Sequence, residues 1–207
     1  MLVAAERAAE LWRELAQAGI LLRDFDAGGG LGIPYDGGRP PDFSAYAQAL
    51  VDIARQLDAT LILEPGRHLV GPVGTFITRV LHVKEAGDRT IVVCDGGMND
   101  LLRPVLYGAE HPVTLLGENE RDKREQAPVD LVGPLCEGSD FLALARTLPL
   151  PRRGDLLAIG LAGAYGRVMS STYNARPLCA EVVLEQGSWR ISRERGTYDD
   201  LVRNERA

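Results

Sequence analysis

The chain has 207 residues, 45% of them hydrophobic, enough for one sizeable domain or two small ones. Its 29 acidic and 23 basic residues leave a net charge of −6, which denies it the basic face that nucleic-acid binding requires. No apolar run reaches the roughly 20 residues of a membrane helix, and the three cysteines, Cys94, Cys136 and Cys179, are scattered and odd in number, with no metal-ligand spacing and the usage of a reduced, cytoplasmic protein.

The N-terminal stretch MLVAAERAAELWREL mixes acidic residues with helical spacing, unlike a signal peptide. The spacing predicts an amphipathic helix over 3–18, with Leu11, Leu15 and Ala18 along one side and Gly19 as its stop. ILLRDF (20–25) reads as a buried strand, followed at once by Gly28, Gly29 and Gly30. A second amphipathic helix is expected over 41–57, capped by Asp42 or Ser44, with Ala45, Ala49 and Ile53 on one side. TLILEPGR (60–67) reads as a second buried strand that ends in turn and charged residues. Helix–strand–helix–strand is the pattern of βα units with a parallel sheet.

The pattern changes near VGPVG, at 70–75. Residues 75–97 read as two β runs joined by EAGD. Further strands are expected at 112–116, 129–134, 155–160, 178–184 and 188–193, a hairpin turn at EQGS and a short helix over 197–206. The fold class is therefore α/β for residues 1–73, followed by an all-β, antiparallel barrel or sandwich domain with short helices over 74–207. Two βα units alone leave both sheet edges exposed, so the first part calls for a partner copy or a longer polypeptide.

Several stretches carry chemistry. Three glycines are costly in a regular element and serve either a turn with positive φ or the close approach of a ligand. At the C-terminal end of a parallel strand, bare N–H groups form a phosphate cradle. EPGR places Glu64 at the next strand end, turns the chain at Pro65 and Gly66, and offers the Arg67 fork to a phosphate or carboxylate. Arg103 and Tyr107 are four apart and would share a helix face. Cys136, beside Glu137, is either a proton carrier or a small packed thiol. Tyr165 lies in an alanine–glycine turn.

The blocks GGGLGIPY, EPGR, GMNDLLRP, VGPLCEGSD, GDLLAIGLAGAYG, MSSTYNARP and TYDDL run in one order from about residue 20 to the end. In this the sequence resembles the C-terminal half of the fold type III, alanine-racemase-like, pyridoxal-phosphate decarboxylases, and among them most the diaminopimelate decarboxylase branch. The resemblance implies that residues 1–73 are the last βα units of a (β/α)8 barrel and that the cofactor is pyridoxal 5′-phosphate. Gly28, Gly29 and Gly30 would hold the phosphate, with Gly66 and Arg67 assisting. Glu64 would pair with the pyridine nitrogen, and Tyr165 would contact the cofactor. Cys136 would return a proton to the α-carbon. Arg67, Arg103, Tyr107, Glu137 and Tyr165 would bind the substrate, arginines suiting a distal carboxylate and Glu137 a distal ammonium. That combination fits meso-2,6-diaminopimelate, with L-lysine as product; the alternatives are another amino acid or a non-catalytic assembly remnant. The resemblance further implies a homodimer in which the Cys136–Glu137 loop serves the other subunit.

The chain also departs from the family pattern. It reads CEGSD for CESGD, VLYGAEH for ALYDAYH and FDAGGG for LDLGGG. The two lysines are Lys84 and Lys123, and neither matches the family's Schiff-base lysine. The expectation is a C-terminal part that needs a missing N-terminal half for covalent cofactor chemistry.

Overall fold

The structure, a computed structural model, describes residues 2–35, 37–117 and 124–206. The chain divides into two compact units, Met1–Val73 and Gly74–Ala207.

The first unit alternates helix and strand: α1 (Leu2–Gln17), β1 (Asp24–Asp26), α2 (Phe43–Gln56), β2 (Thr60–Ile62) and α3 (Gly66–Val70). The strands pair in parallel, Phe25 opposite Leu61. Asp42, not Ser44, caps α2, its Oδ1 accepting the Ala45 N–H at 2.9 Å. The core is Ala5, Ala9, Phe25 and Leu50, with Trp12, Ile53 and Leu61 packed against it, and Trp12 meets Phe25 edge to face. The inward stripe of α1 is therefore Ala5–Ala9–Trp12, whereas Leu11 and Ala18 are exposed. On α2 the buried positions are Leu50 and Ala54, and Ala45 is exposed.

The expected buried strand at 20–25 shrinks to three residues. Ile20, Leu21 and Leu22 are exposed, Leu21 at 94%. Among the described residues β1 pairs with β2 alone, in a two-stranded sheet that leaves the residues ahead of it exposed. Leu61 and Leu63 are only half-buried for the same reason, and Glu64 is exposed. The two-stranded sheet leaves its outer edges unpaired among the described residues, as two βα units alone imply.

The second unit is built on a six-stranded sheet: β3 (Phe76–Ala86), β4 (Arg89–Cys94), β5 (Val113–Leu116), β6 (Gln126–Val132), β7 (Phe141–Pro149) and β8 (Leu156–Ile159), in the order β5-β8-β3-β4-β6-β7. The edge strands β5 and β7 contact each other, so the sheet is nearly closed. A helix of one turn, α4 (Arg103–Tyr107), follows β4, and the chain ends with the hairpin β9 (Glu181–Glu185) and β10 (Ser188–Arg193) and the helix α5 (Tyr198–Val202). The turn between β9 and β10 carries positive φ at Gln186 and Gly187, as EQGS suggested.

Burial alternates along β3 with Phe76, Thr78 and Val80 inward. An irregularity between Val80 and His82 inserts one residue, after which the inward position is Val83. A bulge thus flips the facing side chains in mid-strand. Val80, Val92, Leu115, Leu131, Leu142, Leu157 and Ile159 are buried together as the core, each worth about 1.5–3 kcal/mol on removal from water.

Two sequence expectations are corrected. β4 and β6 run parallel, Ile91 opposite Asp130, so the sheet is mixed, not antiparallel. β7 was not anticipated: FLALARTLP supplies both the β6 partner and an edge strand. Its positive-φ Ala145 and the register shifts beside it break the regular alternation by which a strand is read.

Candidate active site

In the first unit the glycine turn continues the β1–β2 ladder past its end. Ala27 N–H donates to Ile62 O at 3.0 Å and Glu64 N–H to Gly28 O at 2.8 Å. Gly28 and Gly30 have positive φ, 68° and 88°. Gly29 is constrained differently: a Cβ there would lie 2.3 Å from the Glu64 carbonyl oxygen. The three glycines therefore serve two needs, a left-handed turn on either side and backbone-on-backbone contact in the middle. Gly28 N–H is already used, donating to Asp26 Oδ1 at 2.8 Å. Among the described residues nothing accepts from Gly29 or Gly30 N–H, and a Cβ on Gly28 would meet nothing within 4 Å, so the turn is open on that side. Gly66 and Arg67 begin α3, and His68 in the same helix stacks on Phe43. Neither the Glu64 carboxylate nor the Arg67 guanidinium has a side-chain partner among the described residues.

In the second unit Arg103 and Tyr107 share a face of α4, as their spacing implied. The Arg103 guanidinium carbon lies 5.4 Å from the Tyr107 ring centroid and 5.3 Å from that of Tyr165. Two aromatic faces thus hold one cation, an attraction strengthened by the burial of Arg103. Tyr165 takes a left-handed backbone, φ 66°, a strained conformation for a bulky residue. His111 is buried below, its Nδ1 2.9 Å from Gly160 O. Burial, with the nearby Arg103 charge, holds the imidazole below its usual range against the opposing pull of the Gly160 carbonyl. Glu110, where the family pattern has an aromatic residue, instead pairs with Arg146 of β7 at 3.5 Å on the surface.

The loop 133–140 between β6 and β7 carries Cys136 and Glu137. Cys136 is exposed. Glu137 Oε1 accepts from Ser139 N–H at 3.1 Å and Ser139 Oγ at 2.8 Å, and Oε2 from the Tyr173 hydroxyl at 3.1 Å. These bonds, the Ser139 backbone first, hold the Glu137 carboxyl below its ordinary range. Asp140 anchors the loop. It is buried, accepts Met98 N–H at 2.7 Å and Leu135 N–H at 2.8 Å, and fills the space a Cβ on Gly97 or Gly133 would need. The same carboxylate therefore ties the Cys136 loop to the segment leading into α4. Asp140, Ser139 and Tyr173 had no assigned role from sequence. The paired glycines GG (96–97) and Gly133 around a lone aspartate are the signal that could have pointed to Asp140.

Burial pushes the Cys94 thiol up to about 12, helped by the Asp95 charge and opposed by a hydrogen bond with Thr78. Iodoacetamide near pH 8 is therefore expected to label exposed Cys136 in the folded chain and leave Cys94 unlabelled until denaturation. Peptide mass mapping reads this directly, and early labelling of Cys94 would contradict the packing described. Among the described residues no group of three or more His, Cys, Asp or Glu gathers as a metal site, and no helix is long and apolar enough to cross a membrane. Lys84 lies exposed on β3; Lys123 falls outside the described residues.

A nearly closed sheet of this kind, fronted by a cation between tyrosines and an anchored Cys–Glu loop, is matched by a known domain class. The family model for the C-terminal sheet domain of pyridoxal-dependent decarboxylases matches residues 33–163, and the chain belongs to that family. The diaminopimelate decarboxylase of Aquifex aeolicus is 43% identical over 203 residues, covering 96% of this chain and 47% of the relative. That of Helicobacter pylori is 41% identical over 202 residues, covering 98% and 49%. The crystal structure of the Helicobacter pylori enzyme complexed with L-lysine superposes with a TM-score of 0.90 at 40% identity, over 99% of this chain and 50% of that one. A more distant structure, SrLDC in complex with PLP and cadaverine, gives a TM-score of 0.75 at 26% identity, over 86% and 46%. The chain thus spans about half the length of the curated relatives it matches.

Proposed function

We propose that this chain is the C-terminal part of a cytoplasmic, pyridoxal-phosphate-dependent diaminopimelate decarboxylase, releasing CO2 from meso-2,6-diaminopimelate to leave L-lysine. The observation that carries the reading is the pair of opposite charges fixed in the second unit: the Arg103 guanidinium between Tyr107 and Tyr165, and the Glu137 carboxylate held by Ser139 and Tyr173. A substrate whose far end bears both a carboxylate and an ammonium uses both; ornithine, arginine and lysine offer no distal carboxylate to Arg103. The relatives at about 40% identity support it.

The residues present fit the cofactor's phosphate. Gly29 and Gly30 present N–H groups without acceptors on an open turn at the end of β1, and Arg67 lies in the helix after β2. Residues 1–73 are in this reading the last βα units of a (β/α)8 barrel, and 74–207 the β-domain. When bound, pyridoxal phosphate supplies the electron sink for the carbanion left by CO2 loss. Glu64 would keep the pyridine nitrogen protonated, Gly66 and Arg67 would brace the phosphate, Tyr165 would pack on the cofactor, and Cys136 would hold a proton for the α-carbon. Arg67, Arg103, Tyr107 and Tyr165 would hold the substrate carboxylate end. The aldehyde-binding lysine would come from an N-terminal half, and the Cys136–Glu137 loop would act in the partner subunit of a homodimer.

The test is CO2 release from meso-diaminopimelate, ornithine, arginine and lysine, by the chain alone and mixed with the N-terminal half of a relative. Alone, the chain is expected to be inactive and to show no borohydride-fixed absorbance with pyridoxal phosphate. Mixed, it is expected to act on meso-diaminopimelate alone. Release from ornithine or arginine would move the assignment to another amino acid.

A further inference from the structure

The exchange of Gly138 and Ser139 relative to the family pattern places a hydroxyl two residues after Glu137, where its Oγ and its own N–H both reach Oε1. Tyr173 closes on the other oxygen from 36 residues away. Its position is built at some cost. Asn174 and Ala175 behind it are both left-handed, φ 58° and 54°, a conformation that non-glycine residues hold only where the surroundings impose it. Ser171 N–H ties the segment to Asn99 O at 2.8 Å, and Ser171 Oγ accepts from Tyr173 N–H at 3.4 Å.

A carboxylate offers about four acceptor positions, two per oxygen. Oε1 takes two bonds from Ser139 and Oε2 one from Tyr173, and the Gly138 N–H adds to the donors around the group. We infer that Ser139 and Tyr173 are positioning residues that fix the Glu137 carboxylate in one orientation for a ligand ammonium. The inference rests on the reading of Glu137 as the group that meets the substrate's distal amine, and adds to it the two residues that set it. A freely rotating glutamate can trade its two oxygens and swing away from the amine; a clamped one cannot, so less freedom is lost on binding. The clamp also ties the two groups electrostatically. Glu137 raises the Tyr173 phenol above its ordinary range, while Asn174 opposes and Cys136 adds to the rise.

The test reads the clamp before any ligand. The full chain, labelled at the glutamate carboxyl carbon, is titrated by NMR, with the Glu137 signal assigned by its loss in Glu137→Gln. Wild type is expected to titrate below an ordinary glutamate. Ser139→Ala and Tyr173→Phe are expected to move the midpoint upward, and Ser139→Thr, which keeps the hydroxyl, to restore it. Phenolate absorbance supplies a second readout: the late titration of Tyr173 in wild type is expected to be lost in Tyr173→Phe and to move down in Glu137→Gln. Unchanged Glu137 midpoints in both variants, with melting temperatures equal to wild type, overturn the inference. In the chain mixed with an N-terminal half, Ser139→Ala is expected to raise KM for meso-diaminopimelate about tenfold with kcat nearly unchanged, the scale of one charge-assisted hydrogen bond, and Ser139→Thr to reverse it. An unmoved KM overturns the positioning role. A mixture inactive on meso-diaminopimelate whose clamp titrates as expected instead defeats the function proposed above and leaves the clamp standing.

Discussion

Asp140→Ala is expected to destabilise the second unit by about 3–6 kcal/mol, since two charge-assisted backbone bonds at about 1.5–3 kcal/mol each are lost. The donors left behind are Met98 N–H and Leu135 N–H, part-buried, whose acceptor among the described residues is this carboxylate. A cavity adds to the loss, because the carboxylate fills the space beside Gly97 and Gly133 that their missing side chains leave. At about 2–4 °C per kcal/mol for a domain of this size, the melting point drops by roughly 10 °C. Asp140→Asn keeps the shape and one acceptor, and is expected to fall between wild type and alanine. The loss reaches the site as well as the core. Gly133 N–H donates to Asp140 O and Asp140 N–H to Glu137 O, so the loop carrying Cys136 and Glu137 loosens with the anchor. Iodoacetamide labelling of Cys136 and the NMR signal of Glu137 report that loosening apart from the melt. An alanine variant that melts with wild type would mean that the two loops are held by something other than this side chain.

The same carboxylate shows where sequence reading stops. The β3–β4 hairpin was legible because EAGD is a local turn signal between alternating runs, and the boundaries of α1 and α2 followed from helical spacing and an Asp42 cap. The stripe of α1 was misread because large apolar residues were given precedence over small ones; Ala5 and Ala9 face the layer and Leu11 does not. The parallel pairing of β4 with β6 has no local signature, because it joins residues far apart in sequence, Thr90 with Val129. β7 was hidden by its irregular alternation. In the site, Arg103 and Tyr107 could be joined by their spacing of four, and the motif blocks supplied Cys136, Glu137 and Tyr165. The pairing of Glu137 with Tyr173 and of Asp140 with the loop before α4 could not be seen, because each joins residues more than 30 apart.

Gly29→Ala is expected to be more damaging than Gly28→Ala, through a distinct mechanism. Its Cβ would stand 2.3 Å from the Glu64 carbonyl oxygen. Backbone cannot rotate away as a side chain can, so the turn must lift off β2, and the Glu64 N–H to Gly28 O bond is strained or broken. Overpacking of this kind costs about 1–3 kcal/mol, and the loss of a backbone bond adds about 1 kcal/mol. Gly28→Ala meets no atom within 4 Å and costs only a positive φ, roughly 1–2 kcal/mol; Gly30 shares the positive φ. Gly32→Ala meets neither obstacle and is expected to be neutral. Trp12, packed on Phe25 in this unit's core, reports the melt by fluorescence in a Trp189→Phe background. The two effects of Gly29 separate on binding. In Gly29→Ala the N–H groups of Gly29 and Gly30 are displaced from their places beside Glu64, so affinity for pyridoxal phosphate is expected to fall at least about tenfold, the worth of one charge-assisted hydrogen bond. In Gly28→Ala the loss is expected to be smaller, because that N–H already belongs to Asp26. Equal losses across the three glycines would mean that phosphate is held by general flexibility of the turn and not by the particular N–H groups that the contact with Glu64 sets in place.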